Sequence, residues 1–490
     1  MAAALHVPRS RVMTFAVLGL VFGLAAGQPV PAVSDRGEPE SGAALWTETQ
    51  ARIFNGQIHT IYIKMNQASW NQLHDDEKDS RCEKSDHVKW VHARYFVFDG
   101  IPMKNVAMKV RGNTSRCIPR LQFSVSFDRT HGVYSRQFGE RWHEVQYDDA
   151  TRTAIKDRTL AGLSELSLRR SFNDSSSMND SGNGMLAREA VATWAAAEAE
   201  KVTPTTVRGP PVYRTAYALV EFQLCASDAD NACNNRFRRA YLVAEPIDKG
   251  FFRMRYDDRN PTVFAMSHGC ALKGDRGFTL ACVEPEYIDG KKFDQGNPDQ
   301  QAKALGYLTG PGGLKARLDA AGTPAAVGEV LDLDSVMNYA AVATTVGHWD
   351  SAYGNFNNDL LYFHAPSGKW KLITWDMDNT FDYDGPGEPQ RSYTYLDVAN
   401  APRILFDKPF AFPELDVRVQ RRIAAYLATI YDGHGRGPIE DKIRDVRDSY
   451  IGETNAWLVS GERQNRALAR EMLDYTETRY AVLRQQLQRQ

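Results

Sequence analysis

The stretch Val346–Phe381, VGHWDSAYGNFNNDLLYFHAPSGKWKLITWDMDNTF, constrains the fold more than any other part of the chain. Two short apolar, aromatic runs, Leu360–Phe363 and Trp370–Trp375, flank His364–Lys369, which carries the Pro, Ser and Gly of a turn. The pattern predicts a β-hairpin. A hairpin brings its outer ends together, so Asp350 and Asn355, before the first strand, fall beside Asp376 and Asp378, after the second. Four oxygen-bearing side chains then converge. Hard cations such as Mg²⁺ take such ligands and usually keep substrate phosphates as partners.

His348-Trp349-Asp350 followed by Asn355 fits H-x-D-x-x-x-x-N, the catalytic-loop pattern of protein kinases. There the Asp accepts the proton of the attacking hydroxyl and the Asn holds a metal, and a metal-binding Asp follows. The same order is present here. The residues alone are equally described by an acidic surface hairpin with Asp and Asn as turn formers.

The chain has 490 residues, long enough for two domains or one large bilobal one. Lys and Arg number 59 against 61 Asp and Glu, with no long basic run, so nucleic acid is not an expected partner. An aromatic content of 11% argues against disorder. At the N-terminus, Arg9 and Arg11 precede an uncharged run, Val12–Leu24, and the small residues Ala25-Ala26-Gly27. This layout predicts a signal peptide over 1–27, with cleavage after Gly27 or, alternatively, after Ala32. The run is short for a membrane span of ~20 residues. The expectation is therefore a secreted or extracytoplasmic protein without stable membrane insertion after cleavage.

Six cysteines in such a chain favour disulfides, and six allow 15 pairings. Nearest-neighbour order suggests Cys82–Cys117, Cys225–Cys233 and Cys270–Cys282. No C-x-x-C occurs, which argues against a zinc site. Asn113, Asn173 and Asn179 begin N-x-S/T patterns.

A linker is expected over 28–57. Alternation predicts strands over Ile58–Lys64, Val91–Asp99, Val106–Val110, Leu121–Phe127, Tyr217–Leu224 and Arg239–Glu245. Helical patterns cover Asn66–Asp75, Leu186–Glu198, Leu331–Thr345, Val417–Tyr431 and Ile439–Gln490. The expected plan is a strand-rich N-terminal lobe over 58–260 and a mainly helical lobe over 261–490. Arg111-Gly112-Asn113-Thr114-Ser115-Arg116 is either a phosphate-cradling loop or an ordinary turn stapled by Cys117. Glu245 ends a strand, at a crevice or merely exposed. Lys273 lies in a Gly-rich loop, His268–Cys282, where a solvated role is the commoner one.

Together these features resemble the CotH family of spore-coat kinase-like proteins. Phe98-Asp99-Gly100 with Lys109–Ser115 looks like the family's "DG … VRGNSS" element. Leu186–Glu189 looks like its "LRE" helix start with one extra residue, Tyr241–Glu245 like its "GxYxxxE" strand, and Met337–Ala340 like its "NYxA" helix. His348–Asn355 and Trp375–Phe381 resemble its last two blocks. Two departures stand out: Asp382 follows the final Phe where relatives often have Gly, and Arg116, Cys117 and Arg120 replace a lysine run.

The resemblance implies an α+β, atypical protein-kinase-like bilobal fold using ATP and Mg²⁺ or Mn²⁺. It gives Asp350 the catalytic role, and Asn355, Asp376 and Asp378 the metal. Lys109, Arg111 and Lys273 compete for the phosphates, with Lys273 preferred, and Glu245 completes the cofactor set with Arg111. The expected activity is phosphorylation of Ser or Thr on proteins, with the chain itself among the candidate acceptors. Alternatives are transfer of AMP or glutamate, or a non-catalytic coat or adhesin role. The expected partner is a protein substrate or a coat or surface protein.

Overall fold

A computed structural model describes residues 41–77, 88–111, 121–137, 139–170, 187–229, 233, 235–266, 278–353, 358–382, 389–390, 404–431, 437–454 and 462–488. The strands are β1 (Ile58–Asn66), β2 (Trp90–Phe98), β3 (Ile101–Val110), β4 (Phe123–Ser126), β5 (Val133–Ser135), β6 (His143–Glu144), β7 (Glu165–Arg169), β8 (Thr215–Cys225), β9 (Asn235–Ala244), β10 (Thr262–Met266), β11 (Val283–Ile288), β12 (Lys291–Lys292), β13 (Asp359–His364) and β14 (Lys369–Thr374). The helices are α1 (Gly42–Arg52), α2 (Gln67–Glu77), α3 (Asp149–Ile155), α4 (Ala187–Val202), α5 (Lys249–Tyr256), α6 (Pro298–Thr309), α7 (Leu314–Ala320), α8 (Pro324–Val330), α9 (Leu333–Val346), α10 (Ile404–Phe410), α11 (Pro413–Ile430), α12 (Pro438–Thr454) and α13 (Glu462–Gln488).

Seven strands follow one another in the order β1-β8-β9-β7-β4-β3-β2, and β2 pairs back onto β1, closing a barrel. Closure leaves these strands no unpaired edge. Alternation sets what points inward. In β7, Leu166 and Leu168 join Phe96, Val106, Met108, Phe123 and Phe222 in the barrel core, while Glu165, Ser167 and Arg169 are the alternate, outward residues. In β3, Lys109 is likewise outward, between the buried core residues Met108 and Val110.

A second sheet runs β12-β11-β10-β13-β14. The predicted hairpin forms it in part, with Asp359 opposite Thr374 and His364 opposite Lys369. Around this sheet α4, α9, α11, α12 and α13 bury a large apolar core that includes Met337, Ala341, Ile423, Tyr426, Met472 and Tyr475. Cys225 and Cys233 form the expected disulfide. Cys282 is disulfide-bonded as well, while Cys82, Cys117 and Cys270 lie outside the described residues.

The α+β class holds, and three features differ from the expected plan. The N-terminal strands close on themselves as a barrel. The half expected to be mainly helical also contains the five-stranded sheet, because short strands such as Thr262–Met266 pair with distant partners that local periodicity does not reveal. The expected linker also contains α1, capped by Ser41, with Leu45 buried in the barrel-side core.

Candidate functional site

The site begins at the end of α9. Its N-cap Asp332 accepts from Ser335 N at 3.0 Å, and it stops at Gly347, whose φ of 65° is the left-handed C-terminal conformation that glycine adopts without strain. The chain then turns into His348-Trp349-Asp350. Two bonds dock this turn onto the second acidic loop. Phe381 N donates to Val346 O at 2.9 Å, and His348 Nδ1 lies 3.4 Å from Asn379 O. The imidazole is 1% exposed. Burial lowers its pKa, against the opposing pull of Asp350.

Asp350 is buried, and its Oδ2 accepts two amides, Asn358 Nδ2 and Asn379 Nδ2, each at 2.9 Å. One donor comes from the start of the hairpin and the other from its far side. The carboxylate thereby ties together the two loops that the hairpin brings into register. Three non-glycine residues here have left-handed backbones: Asn358 (φ 55°), Asp376 (φ 54°) and Phe381 (φ 53°). The conformation is costly for a bulky residue such as Phe, and such outliers cluster at functional sites.

The second acidic loop meets the outer face of the barrel. Arg169, at the end of β7, ion-pairs with Asp376 and also with Glu189 Oε1 at 2.7 Å. Glu189 sits in the first turn of α4 and accepts from Tyr213 Oη. That hydroxyl in turn accepts from Met377 N at 3.1 Å. Asp376, Arg169, Glu189, Tyr213 and Met377 thus form one closed circuit. Burial lowers the pKa of Arg169, but Glu189, Tyr213 and Asp378 outweigh it and raise the value. Arg111 reaches Ser167 Oγ, and its guanidinium lies 5.3 Å from the Trp375 ring centroid, with that of Arg169 at 5.2 Å. Burial, and next the charge of Arg169, bring Arg111 down to about 10. Two guanidinium groups held this close favour an arriving anion.

Asp350, Asp376, Asp378 and Arg111 therefore gather around Trp375 and the hairpin's outer ends. Asn355 and Lys273 lie outside the described residues. Lys109 stands apart, with Nζ 4.7 Å from the Trp90 ring centroid. Glu245 requires a correction. It is fully buried, with Arg214 Nη2 at 2.7 Å and Arg255 Nη2 at 2.6 Å, so it closes an internal ion cluster and does not line a crevice. Its strand end is covered by the 210–214 segment, whose Pro210 and Val212 carbonyls accept from the same Arg255.

Arg169 was not singled out by the sequence. The signal was the alternation of Glu165-Leu166-Ser167-Leu168-Arg169, which marks a strand with a polar face.

Among the described residues, no three His, Cys, Asp or Glu side chains group closely enough to hold a metal by themselves. Mg²⁺ takes one or two protein carboxylates and completes its shell with water and substrate phosphates. Asp376 and Asp378 are two carboxylates beside the guanidinium groups of Arg169 and Arg111.

The family model described as CotH kinase protein matches residues 108–483 of the chain, a span that contains every residue of this site. No curated protein matches the chain.

Proposed function

We propose, since the chain belongs to the CotH kinase family, that it is an extracytoplasmic transferase that moves the γ-phosphoryl group of ATP to a Ser or Thr of a protein. The observation that carries this reading is the shared amide of Asn379. It binds Asp350 while belonging to the loop of Asp376 and Asp378, so the two acidic clusters act as one unit.

The geometry supports these proposed roles. Asp350, fixed by two amides, orients the acceptor hydroxyl and takes its proton. Arg169 and Arg111 bind the transferred phosphates and hold them in place. Asp376 and Asp378, with Asn355, would hold the divalent cation. When bound, Mg²⁺ or Mn²⁺ neutralises charge on the phosphate oxygens. Glu189 and Tyr213 fix Arg169, so the guanidinium does not have to reorganise as charge shifts. The signal-peptide pattern at 1–27 supports an extracytoplasmic setting, and no helix among the described residues is long and apolar enough to cross a membrane.

The test is intact mass spectrometry of the disulfide-bonded protein after incubation with ATP, Mg²⁺ and a generic acceptor protein. A phosphate increment absent from Asp376→Ala is the expected result. An AMP increment, or no increment with no nucleotide-dependent rise in melting temperature, would overturn the phosphoryl-transfer reading.

A further inference from the structure

Helix α13 presents one stripe to the site. Glu471, Tyr475 and Arg479 are spaced by four, so they share a face. Glu471 pairs with Arg188 of α4. Tyr475 meets Phe381 edge-on, with ring centroids 5.7 Å apart. Arg479 is fully buried and donates to Thr344 O at 2.8 Å and Pro389 O at 3.2 Å. The three residues thus reach α4, the catalytic helix α9, and the segment that leaves the acidic loop.

Arg188 joins these contacts to the chemistry. It is buried, and its Nη1 donates to Thr380 O at 3.3 Å while Nη2 takes Glu471. Its neighbour in sequence is Glu189, the partner of Arg169. The residue before the ion-pairing glutamate therefore grips the loop that carries Asp376 and Asp378. Phe381, one residue past Thr380, carries a left-handed backbone and packs on Tyr475.

We propose that Arg188 is a positioning residue, and that α13, through Glu471, holds it so that the Asp376–Phe381 loop keeps its place against Arg169. Glu471 fixes the guanidinium, the guanidinium fixes the Thr380 carbonyl, and Tyr475 braces the strained Phe381. The C-terminal helix thereby controls a site that its own side chains do not enter. This rests on the kinase reading for its catalytic consequence, but the ordering of the loop can be measured without catalysis.

Glu471→Gln is the first variant, because Glu471 is partly exposed and the neutral amide is close in shape. Hydrogen exchange of the 374–381 segment, read by mass spectrometry without nucleotide, should accelerate by about tenfold or more while the melting temperature changes little. In turnover, kcat should fall by about tenfold to a hundredfold with KM for nucleotide nearly unchanged, as for a misplacement remote from the reacting atoms. Arg188→Glu alone sets two carboxylates against each other and removes the donor to Thr380 O, so it should lower both melting temperature and kcat. The swap Arg188→Glu with Glu471→Arg restores the α4–α13 ion pair but not that donor, and should recover the melting temperature lost in Arg188→Glu without recovering kcat.

Unchanged exchange in the Glu471→Gln protein would overturn the proposal. So would recovery of kcat together with melting temperature in the swap, because the pair would then be only structural. If the parent protein transfers no phosphate at all, the kinase reading fails, and the exchange measurement still decides whether α13 orders the loop.

Discussion

Two arginine–carboxylate clusters lie on either side of the short segment 212–214, and they teach opposite lessons. On one side Glu245 accepts from Arg214 and Arg255, both buried, and the cluster is sealed. On the other, Glu189 shares Arg169 with Asp376, whose side chain is 30% exposed. Both contain a fully buried glutamate. The sealed cluster spends its carboxylate on two internal cations. In the open one a buried guanidinium, Arg169, carries its second bond out to a partly exposed carboxylate on the acidic loop. Burial of an acid is therefore no guide to function here, and what matters is where its partner's second bond goes.

The largest expected effect tests the sealed cluster. Glu245→Ala leaves Arg214 and Arg255 buried without their anion, which costs about 3–5 kcal/mol of stability. Chemical denaturation should show that loss, and nucleotide affinity of the folded fraction should stay at the parent level. A fall in affinity without a fall in stability would break the comparison. The pH dependence has a definite sign. Burial opposes ionisation of Glu245, but Arg214 and Arg255 outweigh it and hold the group down at about 2. A depressed folded pKa gives stability that is present above the unfolded value of 4.5 and lost as pH falls from there towards about 2. Acid denaturation of the parent should therefore steepen in that window, and this component should be missing in Glu245→Ala.

The open cluster responds in rate. Asp376→Asn keeps the shape and removes the charge, and phosphoryl transfer should fall by about 10²–10³-fold. Its melting temperature without ligand should move by only a few degrees. Arg169→Lys is a smaller change. Lysine keeps the charge but lacks the fork that reaches Glu189 and Asp376 together. Loss of one charge-assisted bond of about 2 kcal/mol corresponds to roughly thirtyfold in kcat/KM. Steady-state kinetics at saturating Mg²⁺ would measure it, and an unchanged kcat/KM would show that Arg169 is structural in the way Arg214 is.

The contrast also explains what the sequence reveals. The hairpin and its two acidic ends were legible because strand alternation, turn residues and spacing are all local. Asp350, Asp376 and Asp378 follow from that one stretch. The choice between Glu245 and Glu189 was not legible, because both stand at the end or start of an element with similar local patterns. What separates them is the partner across space, Arg255 from α5 in one case and Arg169 from β7 in the other. β7 itself acquires its position through pairing with β4 and β9, far apart in the chain. Barrel closure by β1 and β2 is similarly non-local, and α1, inside the expected linker, places Leu45 in the barrel-side core through contacts distant in the chain.

The smallest effect concerns a third acid, Asp248, which sharpens the rule that the partner decides. It caps α5, accepting from Phe251 N at 3.2 Å, and its neighbouring charges include Glu165 and Glu245, both acids. Burial, then these like charges, raise it to about 6 against the pull of its backbone bonds. A raised acid has the opposite linkage to Glu245. Its contribution is fully present below the unfolded value of 3.8 and is lost as pH rises through about 6. Asparagine caps helices as well as aspartate does. Asp248→Asn should therefore keep α5 and stabilise the protein at neutral pH by about 1 kcal/mol, a figure reduced for the partial solvent contact of the side chain. Thermal melts at pH 4 and pH 7.5 would check this: the variant should gain at pH 7.5 and be nearly neutral at pH 4. A loss at both values would mean that the cap needs the charge, and that Asp248 belongs with Glu245 among the acids whose ionised form the fold depends on.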